Sequence, residues 1–237
     1  MKRTILHIAL SLAAIFAACL DSHASVSDFA REVCRMSETD TIAVIPPGVT
    51  EIPDYAFYCM PQLRQIDIPQ SVKKIGRYAF AWGENLDKVT LPSRLEDIGA
   101  HAFAYCSSLR EINFPSTLRH IGNNAFSRCS SLTEVSLPSG ITELESYAFS
   151  DCVSLLRATL PANRSLLGEL IFSGCTSLRD LTCMSPVPPE FDCRSFIFEP
   201  DETGLYRQCR LHVPGKSEDA YRSAHGWNLF FQAKAKQ

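Results

Sequence analysis

The chain carries little net charge for its size. Its 237 residues hold 23 Lys and Arg against 26 Asp and Glu, a balance of −3. Bulk electrostatics therefore favours neither nucleic acid nor an anionic membrane as a partner. The usual catalytic signatures are missing as well. No G-x-S-x-G elbow and no phosphate-binding glycine loop occurs, which removes the simplest routes to a hydrolase or a nucleotide enzyme. Histidine is scarce: only His101 and His120 fall within the repeats described below, and they occupy different columns. They read as surface or edge positions rather than ligands. Cysteine is plentiful, at 10, but no C-x-x-C pair exists, which argues against a zinc site.

What the chain does have is a period. Phe57, Phe80, Phe103, Phe126, Phe149 and Phe172 stand 23 residues apart without a gap. Ala precedes all but the last, where Ile171 stands instead. Other columns keep step: Leu63, Leu86, Leu109, Leu132, Leu155 and Leu178, then Ile66, Val89, Ile112, Val135, Ala158 and Leu181, then Ile68, Leu91, Phe114, Leu137, Leu160 and Cys183. Pro69, Pro92, Pro115, Pro138 and Pro161 follow. Gly76, Gly99, Gly122 and Gly168 mark a corner, and Ile45, Pro46, Val49 and Ile52 are an incomplete first unit.

A period of this length is the signature of a leucine-rich solenoid, in which no coil can bury its apolar face alone and stacked coils share one core. The alternation in Leu-x-x-Ile-x-Ile-Pro predicts one short strand per coil, ended by a proline that cannot donate to a ladder. The strands should centre on 66–68, 89–91, 112–114, 135–137, 158–160 and 181–183 and form a parallel sheet. The following apolar pair begins a second extended or turn segment, and the Ala-Phe stretch reads as a helical turn on the opposite side, with Phe filling each coil.

Units such as Ile98-Gly99-Ala100-His101-Ala102-Phe103-Ala104-Tyr105-Cys106-Ser107-Ser108-Leu109 resemble the BspA-like leucine-rich repeats of bacterial surface proteins, over about residues 42–183. Leu211-His212-Val213-Pro214-Gly215, with Tyr221 and Trp227 behind it, resembles the end of such proteins. The resemblance implies an envelope or secreted location and roles in adhesion or protein binding, and it supplies no catalytic residue.

The ends differ from the repeats. Lys2 and Arg3 precede an apolar run from Ile5 to Leu20 that is too short and wrongly flanked for a membrane span. Ser22-His23-Ala24 offers a signal peptidase small residues, with cleavage before Ser25. Phe16-Ala17-Ala18-Cys19 offers a competing lipobox that would put a lipid on Cys19, the one route to membrane attachment. Either way the chain is read as exported: secreted, periplasmic or on the cell surface. Val26 to Met36 reads as a short amphipathic helix with Ser27 as its N-cap. Ser217, followed by Glu218 and Asp219, starts a helix that Gly226 ends, and Trp227, Phe230 and Phe231 would seal the last coil. The division is thus a signal peptide over 1–24, an N-terminal cap over 25–41, an α/β-type solenoid of 23-residue coils over 42–185, and a C-terminal cap over 186–237.

Cys106, Cys129, Cys152 and Cys175 each follow the repeat Phe by three positions. Coils stacked about 4.8 Å apart do not suit a disulfide, which wants Cβ atoms about 3.5–4.5 Å apart, so this ladder reads as buried and inert. A disulfide among Cys183, Cys193 and Cys209, or between Cys34 and Cys59, is open in an exported chain. Asn163-Arg164-Ser165 is a glycosylation sequon that the bacterial resemblance makes idle.

Binding would use the outer face of the strand sheet, through Lys88, Thr90, Glu111, Asn113, Glu134, Ser136, Arg157 and Thr159. The short hydroxyl and amide column suits hydrogen bonding to a strand or glycan. Simple β-propensity explains it equally well, and alternating charges in the other column could pair among themselves. Coil 145–167 departs from the pattern: Glu145 replaces the corner Gly, Ala158 shrinks the strand column, and Arg164 stands where Val72, Leu95, Leu118 and Ile141 do. Arg164 should turn outward and Leu166 or Leu167 inward, which makes a second candidate spot beside Arg157, with repeat decay as the plain alternative. The reading is a non-catalytic surface module whose partner is a protein ligand, a host surface component or a glycan, with no cofactor and no metal. A structural envelope protein is the alternative, and a glycan-binding or hydrolytic accessory protein a distant one.

Overall fold

The computed structural model describes residues 27–162, 166–191, 196–199 and 204–235. The segment read as a signal peptide, Cys19, Val26, Cys193 and the Asn163-Arg164-Ser165 run lie outside those residues.

Among the described residues thirteen short strands follow one another: β1 (Ile42–Val44), β2 (Glu51–Ile52), β3 (Gln65–Asp67), β4 (Lys74–Ile75), β5 (Lys88–Thr90), β6 (Asp97–Ile98), β7 (His120–Ile121), β8 (Glu134–Ser136), β9 (Glu143–Leu144), β10 (Arg157–Leu160), β11 (Leu166–Leu167), β12 (Asp180–Cys183) and β13 (Arg210–His212). Every named pairing is parallel, and the 23-residue period sets the register, as in Gln65 opposite Lys88 and Ile66 opposite Val89. One residue in, one residue out along each strand buries Ile66, Val89, Val135, Ala158 and Leu181.

Two findings amend the expected strands. Most coils carry two of them, because the apolar pair after the proline forms its own ladder, in the order β11-β9-β7-β6-β4-β2. The main sheet is also broken into β1-β3-β5 and β13-β12-β10-β8, because no strand forms over 112–114. Phe114 is the residue that sets this segment apart from its counterparts. Where other coils hold Ile68, Leu91 or Leu137, its larger ring packs edge-on against Phe126 at 5.5 Å and Phe149 at 6.3 Å. Leu211 of β13 resumes the register opposite Leu181.

The third side of each coil is a run of turns, not the helical turn its sequence suggested. Its backbone N–H groups reach the next coil: Phe80 N–H donates to Ala102 O at 2.8 Å, and Phe103 N–H to Ala125 O at 2.8 Å. Those bonds hold two residues per coil in the left-handed region, such as Tyr78 (φ 54°) and Trp82 (φ 65°), a conformation costing about 1–2 kcal/mol for an L residue. Between the three sides runs a file of fully buried, stacked rings. Phe57, Phe80, Phe103, Phe126, Phe149 and Phe172 lie 5.0–5.8 Å apart, centroid to centroid.

The corner glycines are steric necessities. A Cβ on Gly122 would lie 2.6 Å from Ala100 N, and one on Gly168 would lie 2.2 Å from Ser146 N.

At the N-terminal end, the helix read over Val26 to Met36 is one short helical turn, Phe29–Val33. Phe29 meets Phe57 edge-on at 5.8 Å, and Ala30 is buried, but Val33 is exposed. Ser27 Oγ accepts the Ala30 N–H at 3.1 Å. At the other end lie α1 (Leu205–Gln208), α2 (Glu218–Ser223) and α3 (Leu229–Ala235). Ser217 precedes α2 without a capping bond from its side chain. Trp227 and Phe230 are buried, and Trp227 Nε1 donates to Pro189 O at 2.9 Å.

Candidate functional site

The two strand registers and the turn side each present a column of side chains every 23 residues, so the surface is a set of ladders.

The first ladder is the outer face of the main sheet. β5 exposes Lys88 and Thr90, β8 exposes Glu134 and Ser136, and β10 presents Arg157 and the half-buried Thr159. Glu111 and Asn113 are exposed too, but sit in the segment that leaves the ladder. Arg157 Nη2 lies 2.6 Å from Glu134 Oε2, so these two satisfy each other. At the C-terminal end His212 Nε2 lies 2.8 Å from Asp180 Oδ1, and that hydrogen bond holds the Asp180 carboxyl below its usual range. At the N-terminal end the same face is apolar: Ile42 and Val44 of β1 are 51% and 57% exposed. This pair stands one period upstream of Gln65 and Asp67, ahead of the first complete repeat, where the columns of the sequence do not yet announce a strand.

In the irregular coil, Leu167 is buried and Leu166 exposed, as the repeat register requires. Arg164, the other half of that candidate spot, lies outside the described residues.

The turn side carries rings that sequence columns two positions before and after the repeat Phe would have revealed. Tyr55, Tyr78 and His101 stack at 5.1 and 4.5 Å. Trp82 stacks on Tyr105 at 3.8 Å, Arg128 lies 5.3 Å over Tyr105, and Asp151 takes Arg128 at 3.3 Å. Burial, helped by Arg77, lowers the His101 pKa. These rings stack face to face on one another, with Tyr55 at the N-terminal end still 50% exposed.

His120 is not the plain surface position its sequence suggested. It is half-buried on β7, with Nδ1 3.4 Å from Asp97 Oδ1 and Nε2 3.2 Å from Glu145 Oε1. The Asp97 contact, reinforced by Glu145, outweighs burial and pushes its pKa up to about 9. The other Glu145 oxygen accepts the Asn123 N–H at 2.6 Å. Among the described residues, His120, Glu143 and Glu145 are the group whose donor atoms could surround one cation. The signal was present in the sequence: Asp97, His120 and Glu143 are 23 apart, and Glu145 stands at the glycine corner.

The cysteine ladder is buried, with free thiols at Cys106, Cys129, Cys152 and Cys175. Each Sγ donates to the carbonyl of a Phe in the preceding coil, at 3.1–3.3 Å. Burial pushes the Cys106 thiol up to about 12 and raises Cys129 and Cys175 too. Pairings that the sequence leaves open are settled here. Cys34 is a free thiol, whereas Cys59 is disulfide-bonded, and Cys183 is a free thiol that pairs with neither Cys193 nor Cys209. Cys183 instead takes a hydrogen bond from the Tyr221 hydroxyl at 3.0 Å.

Among the described residues no helix is long and apolar enough to cross a membrane. No curated protein is similar to the chain at a significant level. A leucine-rich repeat protein of T. pallidum, TpLRR, is similar in structure, with 35% identity and a TM-score of 0.59 over 62% of this chain and 74% of that one. A leucine-rich repeat protein of Bacteroides ovatus is similar at 29% identity and TM-score 0.57, over 61% of this chain but only 42% of the longer relative. Six copies of the BspA type leucine rich repeat region match residues 50–179. The file of stacked phenylalanines, the parallel ladders and this match agree, and the chain belongs to the BspA type leucine-rich repeat family.

Proposed function

We propose that the chain is an exported, non-catalytic recognition module that binds a protein ligand on the outer face of its main sheet. One observation carries the reading: the exposed side chains of that face form a graded strip. It starts with two aliphatic residues, Ile42 and Val44, and continues through Lys88, Thr90, Glu134 and Ser136 to Arg157 and Thr159. Exposed aliphatics rimmed by polar groups suit a protein interface. A sugar would instead want free aromatic faces, and the aromatic side chains of the turn side are stacked on one another. The early, signal-like segment and the family membership support export. The irregular main sheet adds a discontinuity at Glu111 and Asn113, where the backbone of the face is out of the ladder and its polar groups face a ligand differently from the rest.

The test is binding of the purified chain to immobilised host matrix proteins and, in parallel, to polysaccharides. Capture of a defined matrix protein is expected, with loss of binding in Val44→Asp and in the pair Lys88→Ala and Arg157→Ala. Binding that survives both sets of changes would move the site off this face. Capture of polysaccharide alone would replace the protein ligand with a glycan.

A further inference from the structure

The second sheet builds a surface column of its own. Register pairs Glu51 with Lys74, Lys74 with Asp97, Asp97 with His120, His120 with Glu143 and Glu143 with Leu166. Signs alternate along it, and at the N-terminal end Lys74 Nζ meets Glu51 Oε1 at 3.1 Å. That much is an ordinary exposed charge ladder. The next coil breaks it. Glu145 occupies the corner held by glycine in four other coils, where Gly122 and Gly168 leave no room for a Cβ. The fold does not ask for a glutamate there. It nevertheless keeps the inter-coil bond from Glu145 N–H to Ile121 O at 2.9 Å, and its carboxylate turns back toward His120.

We propose that His120, Glu143 and Glu145 form a binding site for one divalent transition-metal ion of the zinc type, with Asp97 as the positioning residue behind the imidazole. One donor atom from each of the three lies within 4.8 Å of the others. His120 Nε2 and Glu145 Oε1 are 3.2 Å apart, close to the ~3.3 Å that separates two ligands of a tetrahedral ion bound at about 2.0–2.2 Å. Asp97 Oδ1, 3.4 Å from Nδ1, sits where a carboxylate backs a metal-bound histidine, fixing the ring so that Nε2 faces the other carboxylates. One imidazole with two carboxylates selects a borderline ion over calcium or magnesium, which take oxygen ligands almost alone. The fourth position has somewhere to go. An open cleft of about 170 Å³ borders Glu143 and Glu145, with Asn123, Ser146 and Gly168 around it, and admits water or a ligand atom from outside. The site lies on the second sheet, not on the face proposed for the protein ligand, and the two readings stand or fall separately.

The test is calorimetric titration of the EDTA-treated full chain with Zn²⁺ and, separately, Ca²⁺, at mildly alkaline pH. Wild type should bind Zn²⁺ and not Ca²⁺. Glu145→Gly, which restores the residue of the other coils and so should fold, and His120→Gln should both lose that binding. Asp97→Ala should weaken it by about 10–100-fold, and Glu38→Gln, at an exposed position near the N-terminal end, should leave it unchanged. Thermal melts establish that each variant is folded. Absence of Zn²⁺ uptake by wild type overturns the proposal, as does uptake that is unaltered in folded Glu145→Gly, or equal uptake of Ca²⁺. The cluster would then be a charge ladder and nothing more.

Discussion

Replacing Phe126 by Ala should be the most damaging single truncation in the middle of the solenoid. Its ring is fully buried and lies parallel, within 6°, to Phe103 on one side and Phe149 on the other, 5.2 Å from each. Phe114 adds an edge contact at 5.5 Å. Phe→Ala in a core costs about 3–5 kcal/mol, combining the forfeited transfer energy with the cavity left behind. The upper part of that range is expected here. Phe103 and Phe149 are each held by a further ring, Phe80 and Phe172, so the gap cannot close by sliding one neighbour across. Each broken ring pair adds about 0.5–1.5 kcal/mol. At about 2–4 °C per kcal/mol for a chain of this size, the melting temperature should fall by roughly 8–20 °C, followed by circular dichroism. Thr90→Ala, exposed on β5, should stay within about ±0.5 kcal/mol. Equal melting temperatures for the two variants would refute the assignment of the phenylalanine file as the continuous core.

Two further outcomes follow from packing. Cys106, Cys129, Cys152 and Cys175 should resist a thiol reagent in the native chain and react after denaturation, because each is buried and bonded to a Phe carbonyl; mass spectrometry of labelled peptides reads this, and rapid native labelling of Cys129 would contradict it. Gly122→Ala should destabilise by about 1–3 kcal/mol, since the added Cβ lies 2.6 Å from backbone and one coil must shift; an unchanged denaturant midpoint would show that the corner is not tight.

The coil count and the buried columns are legible in the sequence because both are consequences of one period, unbroken from Phe57 to Phe172, whereas Leu211, 30 residues after its partner Leu181, is found only by its own strand pattern. The second sheet is not, because a two-residue strand such as Lys74–Ile75 is too short to show alternation and reads as a turn. The turn side reads as helical for a different reason. Ala-Phe has no strand pattern of its own, and what fixes its backbone is hydrogen bonds to a neighbour 22 residues on, as from Phe103 to Ala125. Local sequence does not encode such a partner. His120 means little when weighed alone. Its meaning comes from Asp97 and Glu143, one period either side, and from Glu145, whose significance is that it is not glycine. In a solenoid the consensus positions are used up by the core, so chemistry particular to this chain has to sit where the repeat is broken.

Phe114 is the other such break, and it can be reversed. Leu at this position in the next coil, Leu137, leaves β8 intact, and Leu91 in the preceding coil leaves β5 intact. The 112–114 segment falls between β5 and β8 along the chain and pairs with neither. Phe114→Leu removes the ring that packs edge-on against Phe126 and Phe149, and the segment should then drop back into register as a strand. The two halves of the main sheet, β1-β3-β5 and β8-β10-β12-β13, would become one. Two opposing effects set the stability change. New ladder hydrogen bonds stabilise the variant, and the absence of two edge-on ring pairs, each worth about 0.5–1.5 kcal/mol, destabilises it. They nearly cancel, so melting temperature is a poor reporter and local amide exchange a good one. In the wild type, exchange at Ile112 and Asn113 should be faster than at Val89 and Val135, which lie within strands. In Phe114→Leu the four should become alike. If the 112–114 amides stay fast in that variant, the ring is not what breaks the sheet, and the cause has to be sought in Glu111 or Asn113 instead.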